Sequence, residues 1–310
     1  MSQRRPERSA PGQASRAAAS FRQDFLNLPD GTSLYYQLWG EGEPAIVLCD
    51  GLGCDGFAWK YLLTDLSGCH RVLRWHYRGH GRSTVPQDPT RIGMVHNCED
   101  LVHLMDAAGL EQAVIFGHSM GVQVALEFHR RHRDRVLALV LICGSYGNPL
   151  DTVHDAPMLK NTFPLLRGLV ERYPRLASRL VGLLLKTELA MQVVISMELN
   201  PKMLHRKDIV PYFDHLARMD PRVFVRTLDS LAEHSAWAHL SEVDVPTLII
   251  SGENDRFTPS WLSHRMAQRV PEAQFMIVPQ GSHTAPLEEP ELIWRKVAQF
   301  LQEQAAPELK

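Results

Sequence analysis

The tightest constraint on the fold is the join between residues 113 and 131. An apolar run, Ala113-Val114-Ile115-Phe116, passes through Gly117-His118-Ser119-Met120-Gly121 into a stretch with helical spacing that reaches Arg131. A chain that leaves a buried strand and at once enters a helix must turn sharply. The residue at the apex is then held in a strained conformation with its side chain turned outward. The residues two places to either side must be small, because strand and helix crowd together there. Gly117 and Gly121 meet that demand, and Ser119 occupies the apex. The helix that follows aims free N–H groups and a positive dipole end at whatever the serine meets.

The same alternation of short apolar runs and helical spacing extends along most of the chain. Strands are expected at Ser33–Trp39, Ala45–Cys49, Arg71–His76, 113–116, Ala138–Cys143, Pro246–Ser251 and Gln274–Val278. Helices are expected at Phe57–Leu66, Arg91–Ala108, from Met120, at Pro259–Arg269 and at Leu287–Gln304. Short apolar strands separated by helices imply a parallel sheet covered on both faces. Between Gly144 and about Leu240 the strand signals stop. Helix-like patches there (Thr162–Tyr173, Ala177–Leu185, Leu189–Ser196, Val223–Leu231) are separated by breaks at Pro164, Pro174, Pro201, Pro211 and Pro221. A strand-free stretch between two core strands reads as a helical cap. The expected division is a polar tail over 1–23, an α/β core over 24–146 and 239–304, and the cap over 147–238.

The chain has 310 residues, 45% hydrophobic and 22% charged, enough for one core with a sizeable insertion. A formal net charge of −2 gives no global preference for nucleic acid or an acidic membrane surface. No apolar stretch reaches membrane-spanning length; the most hydrophobic, Leu180 to Leu185, is far too short. The segment up to about Gln23 is rich in Arg, Ser, Ala and Pro and lacks an apolar core, so it reads as a disordered polar tail rather than a secretory signal. Cys49, Cys54, Cys69, Cys98 and Cys143 are odd in number and lack C-x-x-C spacing, which suits free thiols in a reducing compartment. These features set the expectation of a cytoplasmic protein with no nucleic-acid partner and no membrane insertion.

A serine hydroxyl near neutral pH needs a base to take its proton, and the base needs an acid to orient it. In doubly wound sheets such groups collect at the carboxyl ends of strands. The strand 246–251 runs into Gly252-Glu253-Asn254-Asp255-Arg256-Phe257-Thr258-Pro259, and the strand 274–278 into Gly281-Ser282-His283-Thr284-Ala285-Pro286. The order along the chain is therefore Ser, Asp, His, which is the order expected when the serine turn is a nucleophile elbow. With these three segments the chain resembles the α/β-hydrolase fold superfamily from about Phe25 to Leu301.

That resemblance implies a mostly parallel eight-stranded sheet with helices on both faces and an inserted helical cap. It implies Ser119 as nucleophile, His283 as base and then acid, and Asp255 as the orienting carboxylate. Glu253 is the rival carboxylate, but Asp255 fits the G-x-x-D spacing. The oxyanion donors would be the backbone N–H groups of Met120 and of Leu52, the latter in the loop Cys49-Asp50-Gly51-Leu52-Gly53-Cys54-Asp55-Gly56. No cofactor and no metal are implied. The family usually carries His where this chain has Asp50, and Asp where it has His76. An exchanged Asp50/His76 pair bracing the oxyanion loop is one expectation; two unrelated substitutions are the other. Arg78–Ser83 is expected to be a tight glycine turn pinned by arginine, His118 to pack or bond locally, and His129–Arg133 to be a solvated helix end.

Serine at the elbow argues against epoxide hydrolases and haloalkane dehalogenases of this fold, which attack with a carboxylate. It leaves ester, lactone, thioester or amide hydrolysis, cleavage of activated C–C bonds, acyl transfer and the cofactor-free haloperoxidase-like members. The insertion is rich in apolar residues such as Phe163, Leu166, Leu169, Val181, Leu184, Met191 and Val194, and shows no arginine pair suited to a carboxylate. The leading expectation is a serine hydrolase for the ester, or a related acyl bond, of a largely apolar small molecule. The alternatives are a C–C bond hydrolase, an acyltransferase, or a small-molecule receptor that retains the triad.

Overall fold

The computed structural model describes residues 20–148, 156–185, 187–188, 192, 200 and 203–305. The strands β1 (Phe21–Asn27), β2 (Ser33–Trp39), β3 (Ile46–Cys49), β4 (Val72–Trp75), β5 (Ala113–His118), β6 (Val136–Ile142), β7 (Thr247–Gly252) and β8 (Gln274–Val278) form one sheet. Their order across it is β1-β2-β4-β3-β5-β6-β7-β8. β2 runs antiparallel to both β1 and β4, and every pairing from β4 to β8 is parallel.

The central strands are buried on both faces because helices cover both. Successive residues of β5 point to opposite sides: Val114 and Phe116 enter one apolar cluster, Ile115 the other. The first cluster is closed by α1 (Leu62–Ser67) and by α9 (Pro290–Ala305) through Ile293, Val297 and Phe300. The second is closed by α2 (Met94–Ala107), by α3 (Met120–Arg131) and by Met266 of α8 (Ser260–Arg269). The expected helix over 57–66 is split into a 3-10 turn at Phe57–Trp59 and α1.

Two expectations are corrected. The polar tail was placed over 1–23, but β1 already begins at Phe21. It pairs along its whole length with β2, and Phe21 packs against Trp39 and Phe25 against Tyr35, ring centroids 4.3 and 5.3 Å apart. Such cross-strand aromatic pairs hold an otherwise exposed edge strand. The prolines also break fewer helices than expected. Between β6 and β7 lie α4 (Ala156–Arg172), α5 (Pro174–Leu185), α6 (Arg206–Leu216) and α7 (Pro221–Glu233), and no strand among the described residues. Pro174 and Pro221 open helices, where a missing N–H costs nothing. Pro164 and Pro211 lie inside α4 and α6. Buried neighbours keep those helices going: Phe163 and Val170 pack with Val225, and Ile209 and Phe213 pack with Leu287. The expected patch Leu189–Ser196, with Met191 and Val194 and apart from Gln192, and the break at Pro201 lie outside the described residues.

Candidate active site

Ser119 sits between β5 and α3 with φ 56° and ψ −118°, a conformation that L-residues rarely adopt. The crowding around it is what the flanking glycines permit. A Cβ on Gly117 would lie 2.3 Å from the Gly121 carbonyl oxygen, and one on Gly121 would lie 2.1 Å from the Cys49 carbonyl oxygen. The turn thus presses α3 onto the end of β3 and lifts Ser119 out of the sheet.

The loops after β7 and β8 meet this serine. His283 Nε2 lies 2.9 Å from Ser119 Oγ, and His283 Nδ1 lies 3.0 and 3.1 Å from the two carboxylate oxygens of Asp255. Asp255 is buried, while Ser119 and His283 keep partial access to solvent. The Asp255 carboxylate is itself held by the Phe257 and Thr258 backbone N–H groups at 3.0 and 2.8 Å and by the Thr258 hydroxyl at 2.8 Å. Glu253 accepts a hydrogen bond from the Gln280 backbone N–H at 2.8 Å, so it ties the two loops together and takes no position on the imidazole.

The loop after β3 closes on the same point: a Cβ on Gly51 would fall 3.1 Å from Ser119 Cβ. Neither the Leu52 nor the Met120 N–H is engaged with a protein acceptor among the described residues. The inserted helices rest on this loop. A Cβ on Gly53 would meet Leu216 of α6 at 2.5 Å, and Lys60 Nζ bonds the buried carboxylate of Asp208 at 2.6 Å.

The expected Asp50/His76 contact does not form. His76 Nδ1 accepts the Arg82 backbone N–H at 2.9 Å, while its Nε2 and both Asp50 carboxylate oxygens are buried without a hydrogen-bond partner. The ends of β3 and β4 are adjacent, but the imidazole turns into its own glycine loop. Burial pushes the Asp50 carboxyl up to about 7; the Arg74 charge opposes that rise. Burial lowers His76 to about 3, with the Arg74 charge adding to it. Arg78 does pin the turn, bonding both oxygens of the buried Asp100 at 2.6 and 2.7 Å and also Asp30. The His129–Arg133 end is more ordered than a solvated surface. His129 is buried and bonds Asp244 at 2.9 Å, and Arg130 and Arg131 converge on Glu127.

Two side chains hold the histidine loop: His118, which was expected to pack or bond only locally, and Glu288, which sequence reasoning left aside. His118 Nε2 meets the His283 carbonyl oxygen at 3.0 Å, and burial lowers its pKa to about 4, so it donates there as a neutral ring. Glu288 accepts from the Ser282 backbone N–H at 2.7 Å, from the Thr284 hydroxyl at 2.9 Å and from the Ser282 hydroxyl. The acid five residues after His283 was the available signal for the second. Nothing about a residue next to Ser119 in the sequence signals a partner on the far loop.

Among the described residues no group of His, Cys, Asp or Glu is arranged to hold a metal, and no helix is long and apolar enough to cross a membrane. The sequence matches the family model of the alpha/beta hydrolase fold over residues 44–290. The chain is 28% identical over 274 residues to the Caulobacter vibrioides protein named "Putative carbamate hydrolase RutD", covering 87% of this chain and 95% of that one. It is 27% identical over 287 residues to the 2-hydroxy-6-oxononadienedioate/2-hydroxy-6-oxononatrienedioate hydrolase of Paraburkholderia xenovorans, covering 89% and 94%. Its fold is similar to that of a thermophilic esterase from Thermogutta terrifontis, with a TM-score of 0.75 at 23% identity over 91% of this chain and 99% of that one.

Proposed function

The chain belongs to the alpha/beta hydrolase fold family, and on that footing we propose that it is a serine hydrolase acting on the ester, or a related acyl bond, of a small and largely apolar molecule. The observation that carries this reading is the run of contacts from Ser119 Oγ to His283 Nε2 at 2.9 Å and from His283 Nδ1 to Asp255 at 3.0 Å. Ser119 Oγ attacks the carbonyl carbon while His283 Nε2 takes its proton. Asp255 keeps the ring in the tautomer whose Nε2 can accept, and it stabilises the imidazolium that forms. The carbonyl oxygen becomes an anion that the Leu52 and Met120 N–H groups bind, each contribution being worth about 3–4 kcal/mol. Collapse of that intermediate expels the alcohol, protonated by His283, and leaves an acyl-enzyme. Water, deprotonated by the same ring, then releases the acid and restores Ser119.

The helices inserted between β6 and β7 act in this reading as the cap, because α6 packs on the loop that holds Leu52. The relative named as a 2-hydroxy-6-oxononadienedioate/2-hydroxy-6-oxononatrienedioate hydrolase supports a second reading, in which the same serine site cleaves a carbon–carbon bond of an activated diketone. The two separate on products: a p-nitrophenyl ester panel of graded acyl length against a vinylogous diketone acid. The core test is Ser119→Ala, alongside fluorophosphonate labelling of the unaltered protein. The variant is expected to lose up to about 10⁶-fold in turnover and all labelling. Retention of most activity rejects the reading.

A further inference from the structure

Among the described residues the exposed large apolar side chains are concentrated in one place. Fifteen large apolar side chains are exposed among the described residues, and eight of them lie between Leu165 and Leu184 on α4, α5 and the single residue that joins them. Leu165 and Leu183 are each 69% exposed. Leu165, Leu166 and Leu169 recur at helical spacing on α4, as do Leu176, Leu180 and Leu183 on α5, so each helix carries an apolar stripe facing water. The opposite face of α4 is already used: Phe163 and Val170 pack on Val225, and Arg167 pairs with Asp229 of α7. The hairpin is therefore anchored from within and left apolar outside. Single exposed leucines are ordinary; a contiguous set is the mark of a contact surface.

The charge beside this stripe selects the partner. The chain as a whole has a net charge of −2, yet residues 156–185 hold five cations and one carboxylate. That carboxylate, Glu171, is taken by Arg226 at 2.9 Å. Arg172, Arg175 and Arg179 are exposed, and none has a carboxylate partner among the described residues.

We propose that the α4–α5 hairpin is a docking face for an anionic lipid surface. Leucines seated at the acyl boundary with arginines reaching to the head groups are the division of labour of an interfacial helix. Each cation near a negatively charged leaflet adds to the attraction. A second copy of this chain fits less well, because a two-fold contact through this face would bring two basic surfaces together, and Glu171, the one carboxylate of residues 156–185, is already taken by Arg226. This surface does not depend on how Ser119 is read, and it involves docking on the membrane without crossing it.

The test is sedimentation of the full chain with vesicles of phosphatidylcholine alone and of phosphatidylcholine with phosphatidylglycerol, at low and high salt. Binding is expected to be at least about tenfold stronger on the anionic vesicles and to fall with salt. Arg175→Glu with Arg179→Glu is expected to remove most of that preference. Leu165→Ser with Leu183→Ser is expected to weaken binding to the anionic vesicles, with fluorophosphonate labelling or the melting transition confirming that both variants fold. No binding to anionic vesicles, or equal binding to both kinds, overturns the proposal. So does a salt-resistant dimer in solution that the leucine substitutions dissolve.

Discussion

Burial works against the charge of the Asp50 carboxyl beside the candidate site. Its carboxylate oxygens are buried without a hydrogen-bond partner among the described residues, one residue before Gly51 and two before the proposed donor Leu52. Its folded pKa is raised from 3.8 to about 7, so the folded state favours the neutral acid. The sign follows from linkage. Stability from this group is complete below pH 3.8 and is lost as pH rises through about 7, by up to about 4 kcal/mol. Asp50→Asn keeps the shape and cannot ionise. Its stability is expected to pull ahead of the native chain between pH 4 and 7 and then hold a constant lead. Urea unfolding at pH 4.5, 6 and 8 checks this, and an unchanging difference rejects it. The same residue marks where reading a sequence stops. Ser119, Asp255 and His283 were legible because strand-end position and chain order are properties of sequence. Whether the Asp50 and His76 side chains meet is a matter of rotamer, and the Arg82 N–H had already claimed the imidazole.

At the scale of elements, the joint between β3 and α3 sets the geometry of the elbow. Gly121→Ala places a methyl 2.1 Å from the Cys49 carbonyl oxygen, which is backbone and cannot swing aside. The strand and helix must separate, at a cost of about 1–3 kcal/mol or more. The expected result is a lower urea midpoint together with a fall in fluorophosphonate labelling, since the shift also moves Ser119 against the Gly51 loop. A stable variant with undiminished labelling contradicts that account. The parallel strands were legible because burial on both faces leaves short apolar runs between helices. β1 was not, since it is exposed along nearly its whole length and owes its place to Trp39 and Tyr35 on its partner. Pro164 and Pro211 misled for a related reason: local propensity favours a break, and tertiary packing of Phe163, Ile209 and Phe213 overrides it.

At the scale of the whole molecule, all five thiols are free, four of them buried and Cys69 exposed. One thiol is expected to react quickly with a disulfide reagent in the native protein and five after denaturation, with no change in melting temperature on adding reductant. A larger fast-reacting count in the native protein rejects this arrangement. The sheet order has a further consequence. Among the described residues β8 is an edge strand paired only with β7, it follows the other strands in the sequence, and His283 comes five residues after it. Chains emerge from the ribosome with the N-terminal part first. Ser119 and its helix are synthesised long before the proposed base exists. In the proposed function, Ser119 is therefore a silent hydroxyl until β8 has been made and docks at the edge of the sheet.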